Sequence, residues 1–248
     1  RYFLKTFRKR NSFVFLVWCL TLIMGCATNE IMVENKNRID AEIKLKDLKY
    51  LALGDSYTIG EGEKAENSYP MQVVELLERE GISFTTTKVI AKTGWTSGEL
   101  LEAVEKENIT PNAFDFASLL IGVNNQYKGL PLEQFKADLV TLIEITLSFV
   151  GHQKDNLVLI SIPDWGVTSF GQSGIRPTDQ ISKEIDAYNE VVSQEALRYG
   201  LPFIDITDSY RSNGGISENM VADGLHPSRF IYRDWAFFIS EKIKESIK

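Results

Sequence analysis

The sequence predicts an α/β domain, a three-layer sandwich in which a parallel sheet of about five strands lies between two layers of helices. Short, almost uninterrupted apolar runs alternate along the chain with amphipathic stretches, and strands buried on both faces of a parallel sheet have such runs. The chain has 248 residues, of which 44% are hydrophobic and only 7 are proline. It is therefore long enough to bury a large core and too apolar to be a disordered chain.

Each predicted element follows from this alternation. Five apolar runs, which end near glycine, proline or polar residues, predict strands at residues 50–53, 84–91, 116–121, 157–162 and 202–206. Amphipathic spacing predicts helices at residues 69–80, 97–107, 131–150, 180–199 and 228–247. In the last helix we expect inward-facing residues at Phe230, Trp235, Phe238 and Ile239. No repeat of about 20–50 residues is present, which excludes a solenoid.

The N-terminal segment has the pattern of an export signal. Residues 1–25 hold five basic and no acidic residues, and the basic start is followed by a mostly apolar run at 13–24. This run is too short to span a bilayer comfortably, so residues 1–25 are predicted to be a signal peptide.

The end of this run, Gly25-Cys26, resembles a bacterial lipoprotein box, in which a peptidase cuts before a cysteine that then takes lipid. Such processing needs a small residue at the cut and a thiol that can carry anchoring acyl chains. A signal anchor or an ordinary secretory signal stays open as an alternative. Cleavage before Cys26 would also remove Cys19, so we expect no intramolecular disulfide.

The expected organisation is therefore a signal peptide, a polar tether at residues 26–48 and one domain at residues 49–248. The predicted location is extracytoplasmic, with the domain held at a bacterial membrane by lipid on Cys26. The formal net charge of −7 and the lack of a basic stripe argue against a nucleic-acid partner.

Four short polar motifs occupy the ends of the predicted elements. Gly54-Asp55-Ser56 follows the first strand, Gly94 follows the second, Gly122-Val123-Asn124-Asn125 follows the third, and Asp223-Gly224-Leu225-His226 precedes the last helix. In a parallel α/β sheet, chemistry gathers outside the carboxyl ends of the strands. Each motif alone also fits a structural role: Ser56 a helix cap, Gly94 a turn with positive φ, Asp223 a turn or cap.

In this order, the four motifs resemble those of the SGNH/GDSL hydrolase family, from about residue 48 to the C-terminus. The resemblance implies a flavodoxin-like α/β fold with Ser56 as the nucleophile. It also implies that Gly94 and Asn124 bind the reacting part of the substrate. Asp223 and His226 match the last motif of the family, which completes the catalytic residues.

One residue departs from the family pattern. Asn125 stands where the family usually has an aspartate. We expect this change to affect the contacts around Asn124 and the substrate preference rather than the reaction class, and we expect an Asn125→Asp variant to be tolerated.

The residue types suit acyl transfer. A serine hydroxyl needs a neighbouring base at neutral pH, and histidine is suited to that role. His226 is the candidate base, because the second of the two histidines, His152, lies in a polar loop where we expect it to be exposed. Asp223, three residues earlier, is close enough in sequence to orient the imidazole. The expected oxyanion donors are the backbone N–H groups of Ser56 and Gly94 and the side-chain amide of Asn124.

Four aromatic residues near these motifs are candidates for a pocket wall: Tyr57, Trp95, Tyr127 and Trp165. The loop at residues 163–166 follows the fourth predicted strand, so it either lines the pocket or packs on the sheet edge.

The expected function is metal-independent ester hydrolysis through an acyl-enzyme intermediate. Two distant histidines and no cysteine cluster give no metal-ligand spacing, and we expect no cofactor. The family resemblance implies esterases, lipases, thioesterases and carbohydrate deacetylases. An extracytoplasmic site favours short-chain or O-acetyl esters, including those on glycans. Two alternatives stay open: a lysophospholipase or thioesterase, and a non-catalytic carbohydrate- or partner-binding module on the same fold.

Overall fold

The computed structural model describes residues 47–247, and the predicted α/β architecture is confirmed within them. The strands are β1 (Leu48–Gly54), β2 (Phe84–Ala91), β3 (Phe116–Leu120), β4 (Leu157–Ile160) and β5 (Phe203–Ile204). The helices are α1 (Ser56–Ile59), α2 (Tyr69–Glu78), α3 (Ser97–Lys106), α4 (Val123–Tyr127), α5 (Leu132–Phe149), α6 (Ser169–Ser173), α7 (Thr178–Tyr199), α8 (Thr207–Asn213) and α9 (Arg229–Ile247). The predicted signal peptide, Cys26 and the tether up to residue 46 lie outside the described residues.

The sheet is parallel throughout, with the strand order β2-β1-β3-β4-β5. In β1, Leu53 pairs with Ile90 of β2 on one side and with Leu119 of β3 on the other. The chain therefore crosses first to one side of β1 and then to the other. A switch point of this kind leaves a crevice outside the carboxyl ends of the two strands.

Helices cover both faces of the sheet. For this strand order, the right-handed crossovers usual between parallel strands put α2 on one face and α3, α5 and α7 on the other, and the helix contacts agree with this. The last helix, α9, packs against α2, while α3 packs against α5 and α5 against α7. Tyr50, Leu51 and Leu53 of β1 are completely buried between these layers. None of the helices in residues 47–247 is long and apolar enough to cross a membrane.

One expectation for α9 is wrong. Trp235 and Ile239 are buried as predicted, but Phe230 and Phe238 are 56% and 44% exposed. At about 100° per residue, the buried stripe of the helix runs through Trp235, Ile239 and Ile243, and positions 230 and 238 fall outside it. The prediction that Phe230 and Phe238 face inward relied on the hydrophobicity of phenylalanine and was wrong at these two positions.

Candidate active site

Ser56 lies where β1 turns into the one-turn helix α1. The side chain of Asp55 caps this helix by accepting a hydrogen bond from the Tyr57 N–H at 3.0 Å. Gly54 is required before it, because a Cβ there would lie 2.1 Å from Thr58 Oγ1. The helix cap is thus Asp55, not Ser56, and the Ser56 hydroxyl makes no hydrogen bond within residues 47–247.

His226 is held by Asp223 in a tight loop before α9. The distance between His226 Nδ1 and Asp223 Oδ2 is 2.7 Å, and Asp223 Oδ1 accepts from the backbone N–H groups of Leu225 (2.8 Å) and His226 (3.0 Å). Partial burial opposes ionisation of Asp223, but these hydrogen bonds hold its pKa below the ordinary value. Asp223 therefore contacts both the backbone of the turn and the imidazole of His226, the arrangement that each of its two predicted roles requires. A carboxylate beside Nδ1 favours the tautomer in which Nε2 is free to accept a proton.

Ser56 and His226 line one pocket at the carboxyl end of the sheet, with a volume of about 210 Å³. Its other lining residues are Tyr57, Thr93, Gly94, Val123, Asn124, Tyr127, Trp165, Phe170 and Leu225. Among the described residues no hydrogen bond joins Ser56 Oγ to the His226 ring, and such bonds often tighten only when substrate is present. The second histidine, His152, is exposed and outside this pocket, as predicted.

Three donors lie around Ser56. Gly94 has φ of +82° and a Cβ there would meet nothing within 4 Å, so the backbone conformation rather than the space favours glycine. In the described part of the chain, the N–H groups of Ser56 and Gly94 donate to no protein acceptor. The Asn124 Nδ2 donates to the Trp95 carbonyl at 3.0 Å and to Asp55 Oδ2 at 3.4 Å. The two backbone donors are thus unengaged, whereas the amide is already held by two oxygens.

Three of the four predicted aromatic residues line the pocket: Tyr57, Tyr127 and Trp165. The fourth, Trp95, is not among the lining residues, but its backbone carbonyl accepts a hydrogen bond from the Asn124 amide. The loop after β4 therefore does line the pocket through Trp165. Thr93 and Leu225 also line the pocket, and they lie beside Gly94 and within the motif of His226. No feature of the sequence indicated Phe170, because no local pattern shows that its loop folds over the sheet. Within residues 47–247, no group of three His, Cys, Asp or Glu side chains is placed to hold a metal ion.

Residues 52–233 match the model of the GDSL-like Lipase/Acylhydrolase family. The chain belongs to this family. Membership confirms the resemblance that the sequence motifs indicated and makes the protein an ester-hydrolysing serine hydrolase. It does not support the alternative of a non-catalytic binding module. No curated protein sequence matches this chain.

Solved structures share the fold of this GDSL-family hydrolase. A lipase/acylhydrolase from Enterococcus faecalis has a TM-score of 0.64 at 24% identity, over 81% of this chain and 97% of that chain. The acetylxylan esterase Axe2 from Geobacillus stearothermophilus has a TM-score of 0.59 at 20% identity, over 82% and 96%. The psychrotrophic esterase EstA from Pseudoalteromonas sp. has a TM-score of 0.58 at 17% identity, over 80% and 99%. At these identities the likeness establishes the shared fold.

Asp55, beside the predicted nucleophile of this family member, is a buried carboxyl that the sequence reasoning did not single out. Burial raises the pKa of Asp55 to about 7. The hydrogen bonds from the Tyr57 N–H and the Asn124 amide lower the pKa, but burial has the larger effect. A carboxyl without a cation partner pays a large desolvation penalty when it ionises. The sequence showed an acidic residue before Ser56 but not that the fold would enclose it.

Asn125, where the family usually has aspartate, is buried in a polar network between helices. Its Oδ1 accepts from the Ser97 N–H at 2.9 Å, and its Nδ2 donates to Ser97 Oγ at 2.8 Å. The Ser97 hydroxyl in turn donates to Asp138 Oδ2 at 2.7 Å. This network links α4, which carries Asn124, to α3 and α5.

Proposed function

We propose that this chain hydrolyses esters of short acyl groups with Ser56 as the nucleophile, His226 as the general base and Asp223 as the residue that orients the base. The single observation that carries the proposal is the 2.7 Å contact between His226 Nδ1 and Asp223 Oδ2, in a pocket that Ser56 also lines. An aspartate on Nδ1 directs Nε2 to the serine and stabilises the imidazolium that forms.

In the proposed reaction, Ser56 Oγ attacks the ester carbonyl carbon while its proton moves to His226 Nε2. The tetrahedral intermediate collapses as His226 returns this proton to the departing alcohol, leaving an acyl-serine. Water then attacks the acyl group, again with His226 as base, and releases the acid and free Ser56. The negative charge on the former carbonyl oxygen is met by the N–H groups of Ser56 and Gly94 and by the Asn124 amide.

The substrate class that we propose is short-chain and O-acetyl esters, including acetyl groups on glycans. The pocket around Ser56 has a volume of about 210 Å³, below the usual range of small-molecule sites, about 300–1,000 Å³, which favours a small acyl group there. One structural neighbour, Axe2, is an acetylxylan esterase, which is consistent with acetyl esters as substrates on this fold.

The reaction can be tested with nitrophenyl esters of acetate, butyrate and decanoate and with an acetylated saccharide. We expect kcat/KM for acetate or butyrate to exceed that for decanoate by about tenfold or more. Ser56→Ala should abolish turnover of every ester, whereas Ser193→Ala, a serine change on α7 away from the pocket, should not. Turnover by a folded Ser56→Ala protein would refute the nucleophile, and a preference for decanoate would refute the substrate class.

We also propose that the hydrolase works outside the cytoplasm, anchored by lipid on Cys26. The support is the basic start, the apolar run and the Gly25-Cys26 junction in the sequence. Metabolic labelling with a fatty acid should mark the wild-type protein and not Cys26→Ser. A Cys19→Ser change is the matched control, because this cysteine would leave with the signal peptide. Equal label in wild type and Cys26→Ser would show that Cys26 is not the acceptor.

A further inference from the structure

A second cavity of about 340 Å³ adjoins the catalytic pocket. It is lined by Tyr127, Trp165, Phe170, Gly174, Ile175 and Arg176. The first three of these residues also line the pocket around Ser56, and we call them the aromatic wall. A ligand that reaches the second cavity from Ser56 would therefore pass along this wall, and a cavity of this size is in the usual range of small-molecule sites, about 300–1,000 Å³.

The rings of the aromatic wall pack on one another, and two of the three, Tyr127 and Phe170, remain partly open to solvent. The centroid of Tyr127 lies 5.3 Å from that of Trp165, and Phe170 lies 6.0 Å from Trp165. Trp165 is buried, but Tyr127 and Phe170 are 49% and 38% exposed. Apolar surface that stays exposed in a cavity next to a reactive serine is typical of a ligand-binding groove.

Hydrogen bonds fix the wall in place. The Trp165 Nε1–H donates to Gln126 Oε1 at 2.7 Å, and the Gln126 Nε2 donates to Glu184 Oε2 at 2.6 Å. The Phe170 N–H donates to the Gly224 carbonyl at 2.9 Å, which ties the wall to the loop that carries His226. The Trp165 ring and the backbone at Phe170 are thus preorganised, which reduces the ordering that binding requires.

Arg176 supplies polar donors at the edge of this cavity. Its Nη1 donates to Glu184 Oε2 and to the Gln126 carbonyl, both at 3.4 Å, and its Nη2 donates to the Tyr127 carbonyl at 3.1 Å. A guanidinium has five N–H groups, and the remaining ones, including Nε–H, have no acceptor among the described residues. The Arg176 side chain is therefore held in place and still has donors for a ligand.

We propose that the second cavity is a subsite for the alcohol part of the ester and that it takes a neutral saccharide ring. This inference rests on the proposed function, since it assigns the group esterified to the acyl chain. A sugar ring has an apolar face of C–H groups that can stack on the exposed rings of Tyr127 and Phe170. Its hydroxyl groups can accept from Arg176, whose guanidinium lies over the buried Trp165 ring, 5.9 Å from the ring centroid. An alkyl chain would desolvate the guanidinium without offering it an acceptor, which is unfavourable.

The test compares two substrates with the same acyl group, mono-O-acetyl xylobiose and ethyl acetate. We expect Arg176→Met to lower the ratio of their kcat/KM values, saccharide ester over ethyl acetate, by about tenfold or more, through KM of the saccharide ester. Phe170→Leu should lower the same ratio. Arg198→Met removes an arginine near the end of α7, where Arg198 pairs with Glu195, and is the matched control that should leave the ratio unchanged.

A ratio unaffected by both Arg176→Met and Phe170→Leu would overturn the subsite, as would a loss shared equally by the two substrates. Dependence of decanoate ester hydrolysis on these residues would show instead that the cavity holds an acyl chain. Calorimetry of unmodified xylobiose with Ser56→Ala protein separates the two proposals, because it needs no hydrolysis. Binding that Arg176→Met weakens would support the subsite even if the proposed reaction failed, and absence of binding would count against it.

Discussion

The Asn124 amide donates to two acceptors in the structure, and the proposed oxyanion would be a third. Its Nδ2 is positioned by the Trp95 carbonyl at 3.0 Å, and its longer contact to Asp55 Oδ2 at 3.4 Å is the weaker of the two. An oxyanion forming on the substrate would offer a better acceptor than this long contact. In the proposed mechanism, the oxyanion would therefore replace Asp55 Oδ2 as an acceptor of the Asn124 amide, while the Trp95 carbonyl keeps the amide in position.

Replacing Asn124 with alanine should lower kcat strongly. If the amide donates to the oxyanion, the interaction is stronger in the transition state than in the ground state, and its loss falls on kcat. Removal of one such donor from a well-studied serine hydrolase costs about 100- to 1000-fold, or about 3 to 4 kcal/mol. Steady-state kinetics with one acetate ester measures this. A rise in KM alone, with kcat unchanged, would show that Asn124 only helps to bind the substrate.

Asp55 should make stability depend on pH. Burial raises its pKa from 3.8 to about 7 in the folded protein, so the folded state holds a proton that the unfolded chain releases. This stronger proton binding by the folded state stabilises it fully below about pH 4, and the stabilisation is lost as pH rises towards 7.

An Asp55→Asn variant cannot titrate at this position. Its free energy of unfolding, relative to wild type, should therefore rise between pH 4 and pH 7, by up to about 4 kcal/mol. Urea unfolding at several pH values measures the difference. Stability curves of wild type and variant that run parallel over this range would contradict the raised pKa.

At the scale of elements, the network of Asn125, Ser97 and Asp138 joins the short helix α4 to its neighbours α3 and α5. The single hydroxyl proton of Ser97 goes to Asp138 Oδ2, and the Asn125 amide fills the acceptor side of the same hydroxyl. The expectation from sequence for Asn125→Asp concerns activity, where the change should be well under about tenfold; this arrangement adds a separate expectation for stability. A carboxylate at position 125 has no proton to donate to Ser97, and it would lie near the buried Asp138.

We therefore expect Asn125→Asp to lower the free energy of unfolding at neutral pH by about 1–3 kcal/mol, the usual cost of an unsatisfied buried polar group. A second change, Asp138→Asn, should restore most of it, because an amide at 138 can donate to Ser97 while Ser97 donates to the new carboxylate. Denaturant unfolding of the two single variants and the double variant decides the matter. If the double variant is as unstable as the sum of the single changes, the network does not act as described.

At the scale of the whole molecule, the strand order explains why distant parts of the sequence share one pocket. Ser56 follows β1, Gly94 follows β2 and Asn124 follows β3, and these three strands are neighbours in the sheet. The loop before α9 returns the Asp223–His226 pair to the same edge. This placement could be predicted, because buried parallel strands are apparent as continuous apolar runs and their carboxyl ends share an edge.

Features that depend on long-range packing could not be predicted in the same way. The exposure of Phe230 and Phe238 depends on which stripe of α9 packs against α2. The burial of Asp55 and the position of Phe170 beside the pocket depend on loops far apart in sequence. Periodicity and motifs report local structure, so they indicated residues in or next to the motifs, such as Ser56 and His226, but not Phe170, which lies far from any motif in sequence.

The most direct test of the proposed mechanism is the reaction of the protein with a fluorophosphonate, which forms a stable adduct with an activated serine. Mass spectrometry should find one adduct, on Ser56. His226→Ala should slow its formation by at least about 1000-fold, whereas His152→Ala, a change at the exposed histidine, should leave the rate unchanged. Labelling of another residue, or an equal rate in folded His226→Ala protein, would contradict the assignment of Ser56 and His226.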